Sequence, residues 1–268
     1  MRTRQIQYLR PEEITAEIAR APIAYLPFGL IEWHGPHLPM GMDALHAETV
    51  ARAAADQTGG LVMPTAYFGT DRLQTPSVLR NIGFDGTETI LGIDFPANSL
   101  PSQYVNEEVF GLFVREQYRV TAAMGFKTIV ALTGHAAPAQ GESLRRNADF
   151  FNADPANSAR GARVIATLPF SGDDPDMPGF GHASKVETAL MQVITPESVR
   201  LDALPPLPQP LKNVDHAIVD FLTWDGRPAP DHTVDASDDP RHASAAFGRE
   251  VLAREVAYIV GLVRQHAG

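Results

Sequence analysis

Apolar residues in this chain come in short unbroken runs, separated by longer stretches with helical spacing. The run PIAYLPF (22–28) has no charged position, the pattern of a strand buried on both faces. DALHAETVARAAADQ (43–57) follows as a helix that stops before Gly59 and Gly60. LVMPTAYF (61–68) reads as a second strand and residues 102–125 as a long helix. KTIVAL (127–132) is again strand-like, with a helix after it near 139–153. ARVIATLPF (162–170) and SKVETALMQVI (184–194) repeat the strand–helix alternation, and a terminal helix is predicted from about 241 to 265. Such alternation predicts an α/β fold with a mainly parallel sheet covered by helices on both faces.

Two stretches depart from this scheme. Residues 69–101 are rich in Gly, Pro and Asn, and residues 203–240 in Pro and Asp. Irregular segments of that length in a compact domain form lids, binding loops or oligomer contacts. No repeat or low-complexity linker interrupts the chain, so residues 1–268 are expected to form a single domain with one large core.

Open parallel sheets collect their ligands at the carboxyl ends of the strands. Here the first strand runs into GLIEWHGPHLPMGMD and KTIVAL into TGHAAP. ARVIATLPF runs into SGDDPDMPGFGHAS, which leads to the helix carrying Glu187. Three strand exits therefore deliver imidazoles and carboxylates to one rim. Pro36 and Pro39 disfavour helix, and alternate residues of an extended backbone point the same way, so Glu32 and His34 are expected to reach one ion together. Asp43 stands at the start of the next helix, where aspartate commonly serves as N-cap; the same carboxylate is placed to bridge two ions. Alone, His135 would suit a surface turn, and Glu187 a first helical turn favoured by the helix dipole. Their convergence with the other groups is what favours ligation.

Composition narrows the chemistry. The chain has no cysteine, which excludes disulfides, thiol nucleophiles and thiolate metal sites. Ligands drawn from His, Asp and Glu suit zinc, manganese or iron. With 22 basic against 32 acidic residues and no basic run, nucleic acid is a poor partner. The opening MRTRQIQYLRPEE lacks the apolar core of a signal peptide, and no stretch has the length of a membrane span. A cytoplasmic protein without membrane contact is expected.

The run PFGLIEWHGPHLPMGMDALHAE closely resembles the signature of the creatininase (creatinine amidohydrolase) family, Glu-x-His-Gly-x-His-Leu-Pro with an Asp nine residues after the first His. GHASKVET is similar to the family's His-Ala-Gly-x-x-Glu-Thr-Ser block, and DDPRHASAAFGREVLAREV to its closing helix. The resemblance implies a three-layer α/β/α fold, a homo-oligomer (a hexamer) and a binuclear divalent-metal hydrolase. It further implies that Glu32, Asp43 and His135 hold one ion, and that His34, Asp43 and another carboxylate hold the second. In creatininase that carboxylate lies two residues after the histidine aligned with His135, where this chain has Ala137. The role passes to Glu187, with Asp173 or Asp174 as alternatives. Zinc is the leading ion, with manganese or iron as alternatives.

His182 resembles the family's catalytic histidine, expected to protonate the leaving nitrogen; His37 is the alternative, and otherwise a supporting or substrate-binding group. Trp33, Tyr67 and Trp224 could line an apolar wall for a small flat substrate, although core packing is the ordinary role of each. The chain also departs from the family pattern. Most members carry Asn-Gly-His-Gly-Gly-Asn where this chain has TGHAAP, so Ala136 and Ala137 remove the freedom of glycine and Pro138 replaces an amide. Trp33 stands where Gln is common, and FDGTET replaces a Pro-Gly-Thr turn. These changes spare the metal ligands and alter the pocket.

The expected reaction is hydrolysis of a non-peptide C–N bond in a small cyclic or linear amide. Two ions bridged by a carboxylate lower the pKa of a shared water, and the resulting hydroxide attacks a carbonyl or amidine carbon. The alternatives are a metallopeptidase that matures a small peptide and a non-catalytic metal-binding paralogue.

Overall fold

A computed structural model describes residues 3–96, 98–171, 181–213, 218, 221–224, 227 and 231–266. Strand β1 (Ile23–Gly29) is buried along its whole length, as its uninterrupted apolar run predicts. It pairs in parallel with β2 (Leu61–Val62), β3 (Ala66–Tyr67) and β4 (Thr128–Thr133), and β4 pairs in parallel with β5 (Arg163–Thr167). The order across the sheet is β2-β1-β4-β5, with β3 continuing along β1 beyond β2. Every one of these pairings is parallel, and parallel strands need crossover connections that place helices on the faces.

Alternation along the strands assigns the two faces. Ala24, Leu26 and Phe28 pack with Phe110, Val114 and Tyr118 of α4 (Glu107–Ala123) and with Leu144 of α5 (Pro138–Ala153). Ile23, Tyr25, Val130 and Leu132 face the other way. There they meet α2 (Met42–Thr58) and the long terminal helix, Ala245–His266. Phe28 and Phe110 meet edge-on at 6.1 Å between ring centroids, and burying each ring stabilises the fold by roughly 1.5–3 kcal/mol. The three-layer α/β/α arrangement is thus in place. Among the described residues no helix is long and apolar enough to cross a membrane.

Several predicted elements differ in their limits. The strand expected over 61–68 is broken into β2 and β3, because Pro64 between them has no N–H to give the ladder. The helix expected from 102 starts at Glu107, where Asn106 accepts the Glu108 N–H at 2.8 Å as its cap. Residues 102–105 instead run extended beside the loop after β1, with Gln103 N–H on the Ile31 carbonyl and Val105 N–H on that of Gly69. The terminal helix starts four residues later than predicted, after a 3₁₀ turn at Pro240–His242. Sequence reading also passed over Pro11–Arg20, a helix opened by Pro11 and by the Glu13 carboxylate on the Arg10 N–H at 2.9 Å. Within the irregular stretch 69–101, Leu79, Ile82, Ile93 and Phe95 form a small core of their own against Trp33.

Candidate metal centre

The site sits where β1 and β4 end against the first turn of α2. Two glycines make that approach possible. A Cβ on Gly29 would come within 2.3 Å of the Ala44 backbone nitrogen, and one on Gly134 within 2.1 Å of the Asp43 carbonyl oxygen. The loop after β1 closes on itself through the Glu32 N–H, which donates to the Met40 carbonyl at 2.8 Å. Gly41, not Asp43, is the N-cap of α2; Asp43 lies one position inside the first turn, so its carboxylate is left for the site rather than the helix end. Glu187 occupies the first turn of the helix Lys185–Ile194, following Ser184 as cap. Its Oε2 accepts the Ala183 N–H at 2.6 Å. Ala183 has φ +54°, the one non-glycine at positive φ among the described residues, and backbone strain of this kind gathers at functional sites.

Three sets of side chains each offer ligand atoms within 4.8 Å of one another: Glu32, Asp43 and His135; His34, Asp43 and Glu187; and Glu32, His34 and His182. His135 Nδ1 lies 3.0 Å from Glu32 Oε2 and 3.2 Å from Asp43 Oδ2. His34 Nε2 lies 3.4 Å from Asp43 Oδ1 and 3.8 Å from Glu187 Oε2. Asp43 therefore turns one oxygen to each of the first two groups. Ligands about 2.0–2.1 Å from a tetrahedral zinc lie about 3.3 Å apart, the range these pairs occupy. His34 Nδ1 donates to the Glu32 carbonyl at 3.0 Å, which commits Nδ1 to the backbone and turns Nε2, the atom left to bind an ion, toward the carboxylates. His34 Nε2, Asp43 Oδ2 and His135 Nε2 are buried without a hydrogen-bond partner. A cation between the groups would satisfy the first two, so the residues present fit divalent ions.

The electrostatics carry the same sign. Burial opposes charge on His34, yet Asp43 and Glu187 outweigh it and push its pKa up to about 10. Burial likewise opposes a charged His135, and Glu32 and Asp43 hold it well above the ordinary imidazole range. Asp43 would be raised by burial, but His34 and His135 hold it well below the usual carboxylate value. Burial raises Glu32 against the pull of His135, and burial with the Asp43 charge pushes Glu187 up to about 7. Without metal, protons on the imidazoles stand in for the cations.

The remaining predicted residues fall at different distances from this cluster. His182 packs on His34 with the rings tilted by 35° and their centroids 4.4 Å apart, and it donates from Nε2 to the Trp33 carbonyl. Burial and the neighbouring His34 hold its pKa well below the usual value, so the ring is neutral. Trp33 packs on the small core of the 69–101 segment, with its indole N–H buried and unpartnered. His37 belongs to none of the three sets; its Nε2 meets Thr188 Oγ1 at 3.1 Å and ties the loop to the helix of Glu187. Tyr67 stands apart, 41 % exposed, with its ring against Gly41. Asp173, Asp174 and the side chain of Trp224 lie outside the described residues. Ala136 and Ala137, where the family has glycines, both avoid positive φ and need no such freedom here.

Sequence reading missed Tyr104, whose hydroxyl donates to Glu32 Oε1, and Asp71, a buried acid close enough to His135 for their charges to interact. Asp71 stands just past β3 in GTD, a fourth strand exit on the same rim. Nothing periodic marked Tyr104.

A family model described as creatinine amidohydrolase matches residues 7–95 and 96–263. A crystal structure of creatinine amidohydrolase (creatininase) superposes with a TM-score of 0.71 at 22% identity, covering 99% of this chain and 98% of that one. A Mn creatininase and a Zn-Zn type mutant creatininase each give a TM-score of 0.70 at 22% identity, covering 98% of both chains. No curated protein sequence matches. At that identity the solved structures establish the fold, and the family match over nearly the whole length establishes that the chain belongs to the creatininase family.

Proposed function

We propose that the chain, acting as one unit over residues 1–268, hydrolyses a non-peptide C–N bond in a small cyclic or linear amide with two divalent ions. The observation that carries this reading is Asp43, which presents Oδ2 to the Glu32–His135 group and Oδ1 to the His34–Glu187 group. Bound there, zinc or manganese would supply a Lewis-acid pair able to acidify water and polarise a carbonyl or amidine. Glu32, Asp43 and His135 hold one ion, and His34, Asp43 and Glu187 the other. The hydrogen bond from His34 Nδ1 to the Glu32 carbonyl keeps its Nε2 available as a ligand.

His182 handles the proton. With Nε2–H committed to the Trp33 carbonyl, Nδ1 carries the lone pair of a neutral ring. That atom takes the proton released by the attacking water and passes it to the leaving nitrogen, so water adds across the C–N bond with no other reactant. Phe95, which stacks on His182 at 6.1 Å and belongs to the small core against which Trp33 packs, gives the proton-transfer residue an apolar flank. A symmetric homo-oligomer, a hexamer by family pattern, and a cytoplasmic setting complete the proposal; the exposed Leu112 and Phe150 on α4 and α5 offer apolar surface for assembly.

The test is elemental analysis after reconstitution with zinc or manganese, followed by turnover on a library of small amides and short peptides. Two ions per chain and hydrolysis of a small amide are expected, and His182→Ala should keep both ions while slowing turnover by about 10²–10⁴. Activity on peptides alone selects the metallopeptidase reading. Metal binding without turnover of any member leaves the non-catalytic paralogue.

A further inference from the structure

Residues 102–104, irregular in sequence, are laid one after another against the metal-ligand loop. Gln103 N–H donates to the Ile31 carbonyl at 2.8 Å, Ser102 Oγ accepts the Trp33 N–H at 3.0 Å, and Tyr104 O–H donates to Glu32 Oε1. Ser102 is in turn held by Asp94, whose Oδ1 accepts its hydroxyl at 2.8 Å. Residues 31, 32 and 33 are thus each gripped by 103, 104 and 102.

We propose that Tyr104 is a positioning residue of the candidate metal centre: its phenol occupies one oxygen of Glu32 so that the other alone faces His135 and Asp43. This rests on the metal-dependent reading of the site. A phenol has one proton to give. Here the Tyr104 oxygen accepts the Ile93 N–H at 2.9 Å, which orients the remaining O–H toward Glu32. Glu32 Oε2, 3.0 Å from His135 Nδ1, is the oxygen left for an ion. A carboxylate with both oxygens free can rotate or chelate through two atoms; one with Oε1 occupied presents a single ligand in a fixed direction.

The ring itself is seated with little latitude. It lies over Gly92, where a Cβ would come within 2.1 Å of Tyr104 Cζ and where φ is +73°, so glycine is required on both counts. The ring also meets that of His135, at 5.9 Å between centroids and tilted by 52°. Tyr104 therefore touches two ligands of one candidate ion, Glu32 by hydrogen bond and His135 by ring contact, and neither His34 nor Glu187 of the other shows a bond to it.

The test is Tyr104→Phe in the full chain, which removes the hydroxyl and keeps the ring. Chelator competition with Zn²⁺ would read the two affinities, and a Co²⁺ absorption spectrum the ligand geometry. One ion should weaken by about 10–100-fold, the range for losing a group that orients a metal ligand, with the other unchanged. The Co²⁺ spectrum should change only for the weakened site. Both ions bound as in the parent would overturn the proposal, as would equal weakening of both with a lowered melting temperature of the metal-free protein, which marks general loosening. A parent protein that binds no ion sinks the metal reading, and this proposal with it; a parent that binds two beside an unchanged variant refutes the role of Tyr104 alone.

Discussion

Metal uptake by this protein should depend steeply on pH, because protons occupy the ligand atoms first. His34 stands at about 10 in the metal-free protein, so it is protonated throughout the neutral range and must give up a proton to bind an ion. Lowering the pH makes that proton harder to displace, at about tenfold in apparent affinity per pH unit for each proton released. Glu187, pushed up to about 7, is largely ionised at pH 8 and largely protonated at pH 6. Between those two pH values His34 contributes about 100-fold and Glu187 about a further tenfold, together about 1,000-fold or 4 kcal/mol at the His34 site. The sign is fixed: affinity rises with pH, steeply below 7 and with unit slope from 7 towards 10. Chelator competition at pH 6, 7 and 8 and constant ionic strength, corrected for protonation of the chelator, measures it. A change below tenfold across that range would mean that the imidazoles are neutral before metal arrives, and the picture of protons as stand-in cations would be wrong.

Four substitutions separate ligation from packing. Asp43→Ala should lose both ions, whereas Glu187→Gln should lose one; elemental analysis of each variant reads the difference, and two retained ions in Glu187→Gln would move that ligand elsewhere. Gly134→Ala forces a Cβ against the Asp43 carbonyl and should destabilise the fold by at least about 1–3 kcal/mol in urea melts, with weakened metal binding; parent-like stability would show that α2 can retreat freely. His46 and Glu255 form a fully buried pair at 2.7 Å joining α2 to the terminal helix. His46→Ala should cost about 3–5 kcal/mol by leaving the Glu255 side chain buried without its partner, and joint replacement of both by apolar residues should recover most of it; parent-like stability of the single variant would show that the pair contributes nothing to the fold.

The parts of the fold that were legible are those where burial imposes a period. β1 and β4 are buried on every residue and read as apolar runs, and α2 and the terminal helix bury one face each. Glu32, His34, Asp43, His135 and Glu187 were legible as a group because each lies within a few residues of a strand end or a helix start, and the topology of a parallel sheet brings those ends together. The finer arrangement was not. Alternation along an extended strand put Glu32 and His34 within reach of one ion, and one of the three ligand groups, completed by His182, does contain both; their division between the other two groups had no such signal, because the backbone after Gly29 folds back on Met40. Side-chain direction there follows hydrogen bonds rather than a strand period. Tyr104 was hidden for the same reason. Its placement depends on the positive φ of Gly92, the Ile93 N–H and a pairing of residues 102–105 with distant loops. None of these leaves a local pattern.

Charge explains why so acidic a cluster survives in the interior. Glu32, Asp43 and Glu187 bring three negative charges into a site where each is nearly inaccessible to water. Isolated buried carboxylates are costly enough that they normally take up protons. Two protonated imidazoles offset two of the charges, and the third is blunted by the raised pKa of Glu187. Two divalent ions in place of the two protons would leave one net positive charge among the same ligands. That surplus suits an oxygen that gains negative charge as an amide is attacked, and it is absent from the metal-free cluster. The packing that keeps water from these residues thus makes the cluster favour positive charge, and Asp43 turns one oxygen to each of the two imidazoles that carry it.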